Sequence, residues 1–198
     1  MKNSVKILSV LTIVVAMAAF ATSCEEDVMV ISIALDKVTA DVQVGATLDL
    51  NVIVTPADAT NQEIKWSTSN AAVATVTDGT VTGVALGTAT ITAKAKSDTT
   101  KTSTCSVTII PSNGQTITVT GEITTNTTWY SNAKYLLNGF VYVVNNATLT
   151  IQPGTIIKGV YGSKGALIVE RGATINAAGT ATQPIVFTSD RPVGQRAA

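Results

Sequence analysis

The sequence predicts an all-β chain, a two-sheet β-sandwich followed by an incomplete solenoid of stacked parallel coils. Three observations lead there. Between Ile31 and Ile110, apolar residues recur with period two in short runs, the spacing of half-buried strands. Gly, Pro and an Asp-Gly pair punctuate those runs where turns are needed. After Gln115, the phrase Val143-Val144-Asn145-Asn146-Ala147-Thr148-Leu149 returns as Val169-Glu170-Arg171-Gly172-Ala173-Thr174-Ile175. That offset of about 26 residues lies in the range that marks stacked repeats. Thr and Val are abundant, and both are β-branched residues that suit pleated surfaces.

The first element, residues 1–23, reads as a processing segment. Lys2 and Lys6 supply a positive start, and the run from Ile7 to Phe20 is apolar and uncharged. It is too short for a membrane span and ends in small residues, Ala21-Thr22-Ser23, ahead of Cys24. Phe20-Ala21-Thr22-Ser23-Cys24 resembles the lipobox of bacterial lipoproteins, with Ala21 where leucine is commonest. The resemblance implies cleavage before Cys24, lipidation of its sulfur and attachment to a membrane through that lipid. Multiple acyl chains anchor stably, at about 0.8 kcal/mol per buried methylene. Glu25-Glu26-Asp27 follow directly and resemble the surface-export signal of Bacteroidetes lipoproteins. The expected location is therefore the outer membrane, lipid-anchored and exposed at the cell surface, with residues 24–30 as tether.

Composition narrows the chemistry. The chain has 198 residues, with 13 basic and 13 acidic side chains and no net charge. Without a basic stripe, nucleic-acid binding has no electrostatic support. There is no histidine, which removes Ser/His/Asp and Cys/His constellations. With two cysteines, the usual zinc sites have no ligand set either. No metal and no cofactor is expected. A lipidated Cys24 leaves Cys105 without a disulfide partner.

The sandwich is expected over residues 31–110. Leu48, Leu50, Val52 and Val54 share one face, and Ile64 and Trp66 alternate with Lys65 and Ser67. Ala89, Ile91 and Ala93 form another buried row, as do Cys105, Val107 and Ile109. This phase makes Trp66 a core residue and Cys105 a buried, inert thiol. Asp78-Gly79 between Val76 and Val81 is a tight-hairpin signal, since glycine accepts the positive φ the turn needs. The ordered set Val54-Thr55-Pro56, Ile64-Lys65-Trp66-Ser67-Thr68-Ser69-Asn70, Val73-Ala74-Thr75-Val76, Val81-Thr82-Gly83-Val84 and Gly87-Thr88-Ala89-Thr90-Ile91-Thr92-Ala93 resembles a bacterial immunoglobulin-like domain of group 2. That family often forms stalks of surface proteins. Asp98-Thr99-Thr100 resembles an O-glycosylation site of Bacteroidetes secreted proteins, with Thr99 as acceptor; the alternative is a plain solvated loop.

Pro111-Ser112-Asn113-Gly114 reads as a linker, and residues 115–198 as coils. Ala147-Thr148-Leu149-Thr150-Ile151-Gln152-Pro153-Gly154-Thr155 and Pro184-Ile185-Val186-Phe187-Thr188-Ser189 resemble the opening coils of a right-handed parallel β-helix of the pectin-lyase-like type. A coil cannot bury its own apolar face, and about three repeats are needed for stability. Two coils predict a truncated product whose last coil presents an open edge.

Catalysis on a glycosidic bond needs two carboxylates on one cleft. The acids after the linker are Glu122, Glu170 and Asp190, and none pairs with another at a matching repeat position. Tyr142 alternates with Val141 and Val143 and is expected to face outward as a ligand contact. Trp129, Tyr130, Tyr135 and Tyr161 either join it in a glycan-stacking patch or cover the open end of the solenoid. The reading is a non-catalytic adhesion or binding lipoprotein, not an enzyme, whose partner is a glycan or a cell-surface protein. The alternative is the front part of a β-helix polysaccharide lyase or hydrolase with catalytic coils beyond residue 198, and the second alternative a structural envelope component.

Overall fold

A computed structural model describes residues 26–192, 194 and 195. Every regular element among them is a β-strand. Nine strands build the first unit. β2 (Thr39–Gln43), β9 (Thr102–Ile110), β8 (Gly87–Ala95) and β5 (Ile64–Thr68) form one sheet in that order. β3 (Thr47–Asp49), β7 (Thr80–Gly83) and β6 (Ala74–Thr77) form the second. β1 (Ser32–Leu35) and β4 (Val52–Thr55) pair beside them. The β2–β9 pair is parallel and the other pairs of this unit are antiparallel.

The inward rows are the ones the alternation predicts. Ala89, Ile91, Ala93, Cys105, Val107 and Ile109 are all buried, and Trp66 packs half-buried against them. Apolar rows from two sheets meet face to face because each strand sends alternate side chains to one side. One detail differs from the expectation. The row Leu48, Leu50, Val52, Val54 is not one strand but spans β3 and β4, which lie in different sheets. The chain crosses over at Leu50–Asn51, where the Leu50 amide donates to the Gly79 carbonyl at 3.0 Å and the Asn51 amide to Asp36 Oδ1 at 3.0 Å. Both strands face the same core, so the alternation survives the crossing. The β6–β7 turn is Asp78-Gly79 with φ of 48° and 87°, a two-residue turn with both residues left-handed.

The second unit is a stack of parallel strands. β10 (Thr116–Ile123) pairs with β12 (Lys134–Val143). The first half of β12 then pairs with β14 (Ile156–Gly159) and the second half with β15 (Ala166–Val169). β17 (Val186–Ser189) adds to β14. A further sheet runs β11 (Thr127–Trp129), β13 (Thr148–Ile151), β16 (Thr174–Asn176). Each turn of chain thus lays its strands on those of the turn before, which is a parallel β-helix. Inside it, Val141, Val143, Leu149, Ile151 and Ile157 are fully or almost fully buried, each worth about 1.5–3 kcal/mol of burial.

The coil is not of constant length. Register partners are 18 residues apart at Thr116–Lys134, 20 at Gly121–Val141, 22 at Lys134–Ile156, 26 at Thr148–Thr174 and 30 at Ile156–Val186. The extra residues enter between strands: the offset rises from 22 to 26 across residues 160–165 between β14 and β15, and from 26 to 30 between β16 and β17.

Candidate functional site

In a parallel ladder, register partners point to the same side, so rows of side chains form across coils. On the outside of the larger sheet, Glu122, Tyr142 and Ile168 form one such row. Phe140, two residues before Tyr142, shares its side and stands beside Ala166. The Phe140 and Tyr142 rings meet edge to face, 6.4 Å between centroids at 74°. Phe140 is 52% exposed, a large apolar side chain left in water on a flat face. An aromatic platform of this kind offers a stacking surface, and Glu122 supplies a hydrogen-bond acceptor at its margin.

The segment 160–165 projects beside this platform. Its base is pinched where Gly159 and Gly165 lie back to back. A Cβ on Gly165 would stand 2.1 Å from the Leu137 carbonyl oxygen, and one on Gly159 2.5 Å from the Gly165 oxygen. The Gly139 amide donates to Ser163 Oγ at 2.9 Å, which fixes the loop over the preceding coil. Tyr161 lies under the Arg191 guanidinium, 3.5 Å from carbon to ring centroid, a cation–π contact. The Tyr161 amide donates to Asp190 Oδ1 at 2.9 Å. A shallow recess of about 300 Å³ opens among Tyr161, Lys164, Thr188 and Ser189.

The carboxylates do not gather. The positions stacked on Glu122 are Tyr142 and Ile168, Glu170 lies exposed at a coil corner before Gly172, which has φ 90°, and Asp190 is engaged with the Tyr161 amide. Among the described residues no group of three or more His, Cys, Asp or Glu side chains is arranged to hold a metal ion.

Other residues singled out from the sequence fall as follows. Cys24 and Glu25 lie outside the described residues. Glu26 and Asp27 are exposed in the segment before β1. Thr99 is exposed in the β8–β9 turn, where Asp98 Oδ1 accepts from the Thr100 amide at 2.9 Å and its hydroxyl at 2.7 Å. These hydrogen bonds hold the Asp98 carboxyl below the usual carboxylate range. Cys105 is buried, and desolvation pushes its thiol pKa up. Trp129 and Tyr135 do not join a glycan patch. They stack inside the solenoid at 4.7 Å and 13°, and the Tyr135 hydroxyl accepts from the Tyr130 amide at 2.8 Å. Burial raises the pKa of Tyr135 and of Tyr130. Sequence reasoning missed Phe140, although its even spacing from Tyr142 carries the signal. It also missed the Arg191–Tyr161 pair, which no local pattern announces because it joins two coils.

Comparison with known proteins follows the same division. The family described as bacterial Ig-like domain (group 2) matches residues 29–107, and the pectate-lyase like beta helix domain matches residues 121–197. Among curated proteins, a 3-O-alpha-D-galactosyl-alpha-L-arabinofuranosidase of Bifidobacterium longum subsp. longum is 39% identical over 77 residues, 38% of this chain. The chain spans 7% of the length of that relative over the match. These findings overturn the expectation of a protein that is not an enzyme: the coils match a pectate-lyase-like domain and the curated relative is a glycosidase. The absence of histidine and of a stacked acid pair excludes particular catalytic arrangements within these coils, not a carbohydrate-active class. The chain carries a bacterial group 2 immunoglobulin-like domain followed by a pectate-lyase-like β-helix domain.

Proposed function

We propose that this chain is the front part of a surface-anchored carbohydrate-active enzyme. The immunoglobulin-like domain spaces a β-helix from the membrane, and catalytic coils stack beyond the ones described. The observation that carries the reading is the pectate-lyase-like match over residues 121–197. In this reading the outer platform of Phe140 and Tyr142 guides a polysaccharide along the helix, and the acids that act on it stand on later coils. Lipidation at Cys24 and export directed by Glu25, Glu26 and Asp27 would hold the enzyme on the outer membrane.

The test is to isolate the native protein from cells with antibodies against residues 26–192 and to incubate it with an arabinogalactan and with pectate. Release of reducing ends or of unsaturated products from either polymer is expected. Inactivity on both, from a band no larger than this chain, would refute the enzyme reading. Labelling with an acyl-chain probe, lost in Cys24→Ala, checks the anchor separately.

A further inference from the structure

The first coil of a solenoid has an inner face that no preceding coil covers. Here Ile117 and Val119 of β10 remain half-exposed at that mouth, with the Trp129–Tyr135 stack behind them. One end of the sandwich, Leu86–Thr88 and Thr108–Ile109, leans over the opening without closing it. The result is a cleft of about 730 Å³ between the two domains, within the ~300–1,000 Å³ of small-molecule sites.

The cleft is pre-formed because the linker is tied to both sides. Ser112 Oγ donates to the Val44 carbonyl at 2.9 Å and Gln43 Nε2 to Asn113 Oδ1 at 3.1 Å on the sandwich side. On the coil side the Gly114 amide donates to the Asn132 carbonyl at 2.7 Å, and Asn132 Nδ2 to the Pro111 carbonyl. A ligand entering it does not have to order the walls.

The lining sets the ligand's chemistry. No charged side chain contributes to it, so an ion would lose water without gaining a partner. Seven threonines and Asn126 line it together with isoleucine, valine and the Trp129–Tyr130 corner. β10 also lies there as an edge strand, paired on one side only, with β12. A purely apolar ligand would bury those hydroxyls and backbone groups unpaired, at about 1–3 kcal/mol each. The matching ligand is uncharged, with apolar faces and a rim of hydroxyls. We propose that this cleft is a binding site for a neutral saccharide of mono- to disaccharide size. It is separate from the outer platform and independent of catalysis on later coils.

The test is calorimetric titration of the full chain with cellobiose, lactose, maltose and xylobiose, with digalacturonate as the charged control. At least one neutral disaccharide is expected to bind with a 1:1 stoichiometry. Thr88→Phe from the sandwich side and Thr127→Phe from the inward row on the coil side each intrude on the cleft, at strand positions where an aromatic is tolerated. Each is expected to weaken binding tenfold or more with an unchanged melting curve, while Phe140→Ala leaves binding intact. The proposal is overturned if no neutral disaccharide binds, if binding survives both threonine substitutions, if digalacturonate binds equally well, or if Phe140→Ala abolishes binding.

Discussion

Replacing Trp129 by alanine tests whether the coils are held from within. The ring is 2% exposed and lies flat on Tyr135. A buried aromatic of 150–250 Å² is worth about 4–6 kcal/mol by area as an upper bound, with about 0.5–1.5 kcal/mol more for a stacked pair. Measured truncations of this kind cost about 3–5 kcal/mol, and that range is the prediction. Against a domain stability of roughly 5–15 kcal/mol, the coils would lose a large share of their margin. With a urea slope of about 1–3 kcal/mol per molar, the midpoint falls by about 2 M. The chain has two tryptophans, and the substitution leaves Trp66 in the sandwich as the only one. Far-ultraviolet circular dichroism then follows both β units while Trp66 fluorescence follows the sandwich alone, so the coil transition is the part of the dichroism change that fluorescence lacks. The coil transition should move and the Trp66 transition should stay. A loss under about 1 kcal/mol would refute the interior packing of Trp129. An equal shift of the Trp66 transition would refute the separation into two cooperative cores.

Four further outcomes are expected. Tyr135→Phe removes the acceptor of the Tyr130 amide and should cost the coils about 1–3 kcal/mol, read from the same urea curves. Asp36, bonded to Lys37 and Asn51, has its pKa lowered from 3.8 to about 2; its contribution is complete above pH 3.8 and is lost as pH falls toward 2. The urea midpoint of the sandwich should therefore drop over that window, and the drop should shrink in Asp36→Asn. Cys105, buried with a raised thiol pKa, should resist iodoacetamide in the native protein and react in denaturant, as peptide mass spectrometry would detect. The double substitution Phe140→Ala with Tyr142→Ala on the outer face should change coil stability by less than about 1 kcal/mol, yet, on the proposed function, abolish retention of the protein on immobilised arabinogalactan or pectate.

The sandwich was legible because its signal is local. Cys105, Val107 and Ile109 announce an inward row through their own neighbours, and Asp78-Gly79 announces a hairpin through its own backbone needs. The row Leu48 to Val54 concealed a change of sheet because both strands face one core, so burial alone cannot mark the crossing. The solenoid was half legible. Only the rungs of β12 on β15 and of β13 on β16 repeat at the 26-residue offset that the sequence displays. The partners of β10 and β12 stand 18 and 20 residues apart, so no single period reveals them. The outer rows were least legible, since Glu122, Tyr142 and Ile168 come from three coils and meet only through register. The expectation of a non-catalytic protein failed for a related reason. It weighed the side chains present here, whereas the finding against it is a likeness spread over whole coils, to a pectate-lyase-like domain and to a glycosidase.

The unequal coil length separates two properties that a compact protein ordinarily ties together. Strand register is set by the ladders, while residues 160–165 leave the ladder between Gly159 and Gly165 and rejoin it with the partners above and below still aligned. Insertions at that corner therefore leave the stacking undisturbed and alter only what projects from it. Evolution can lengthen, shorten or recast this projection beside the aromatic face without re-solving the fold, and an engineer can graft sequence there under the same protection.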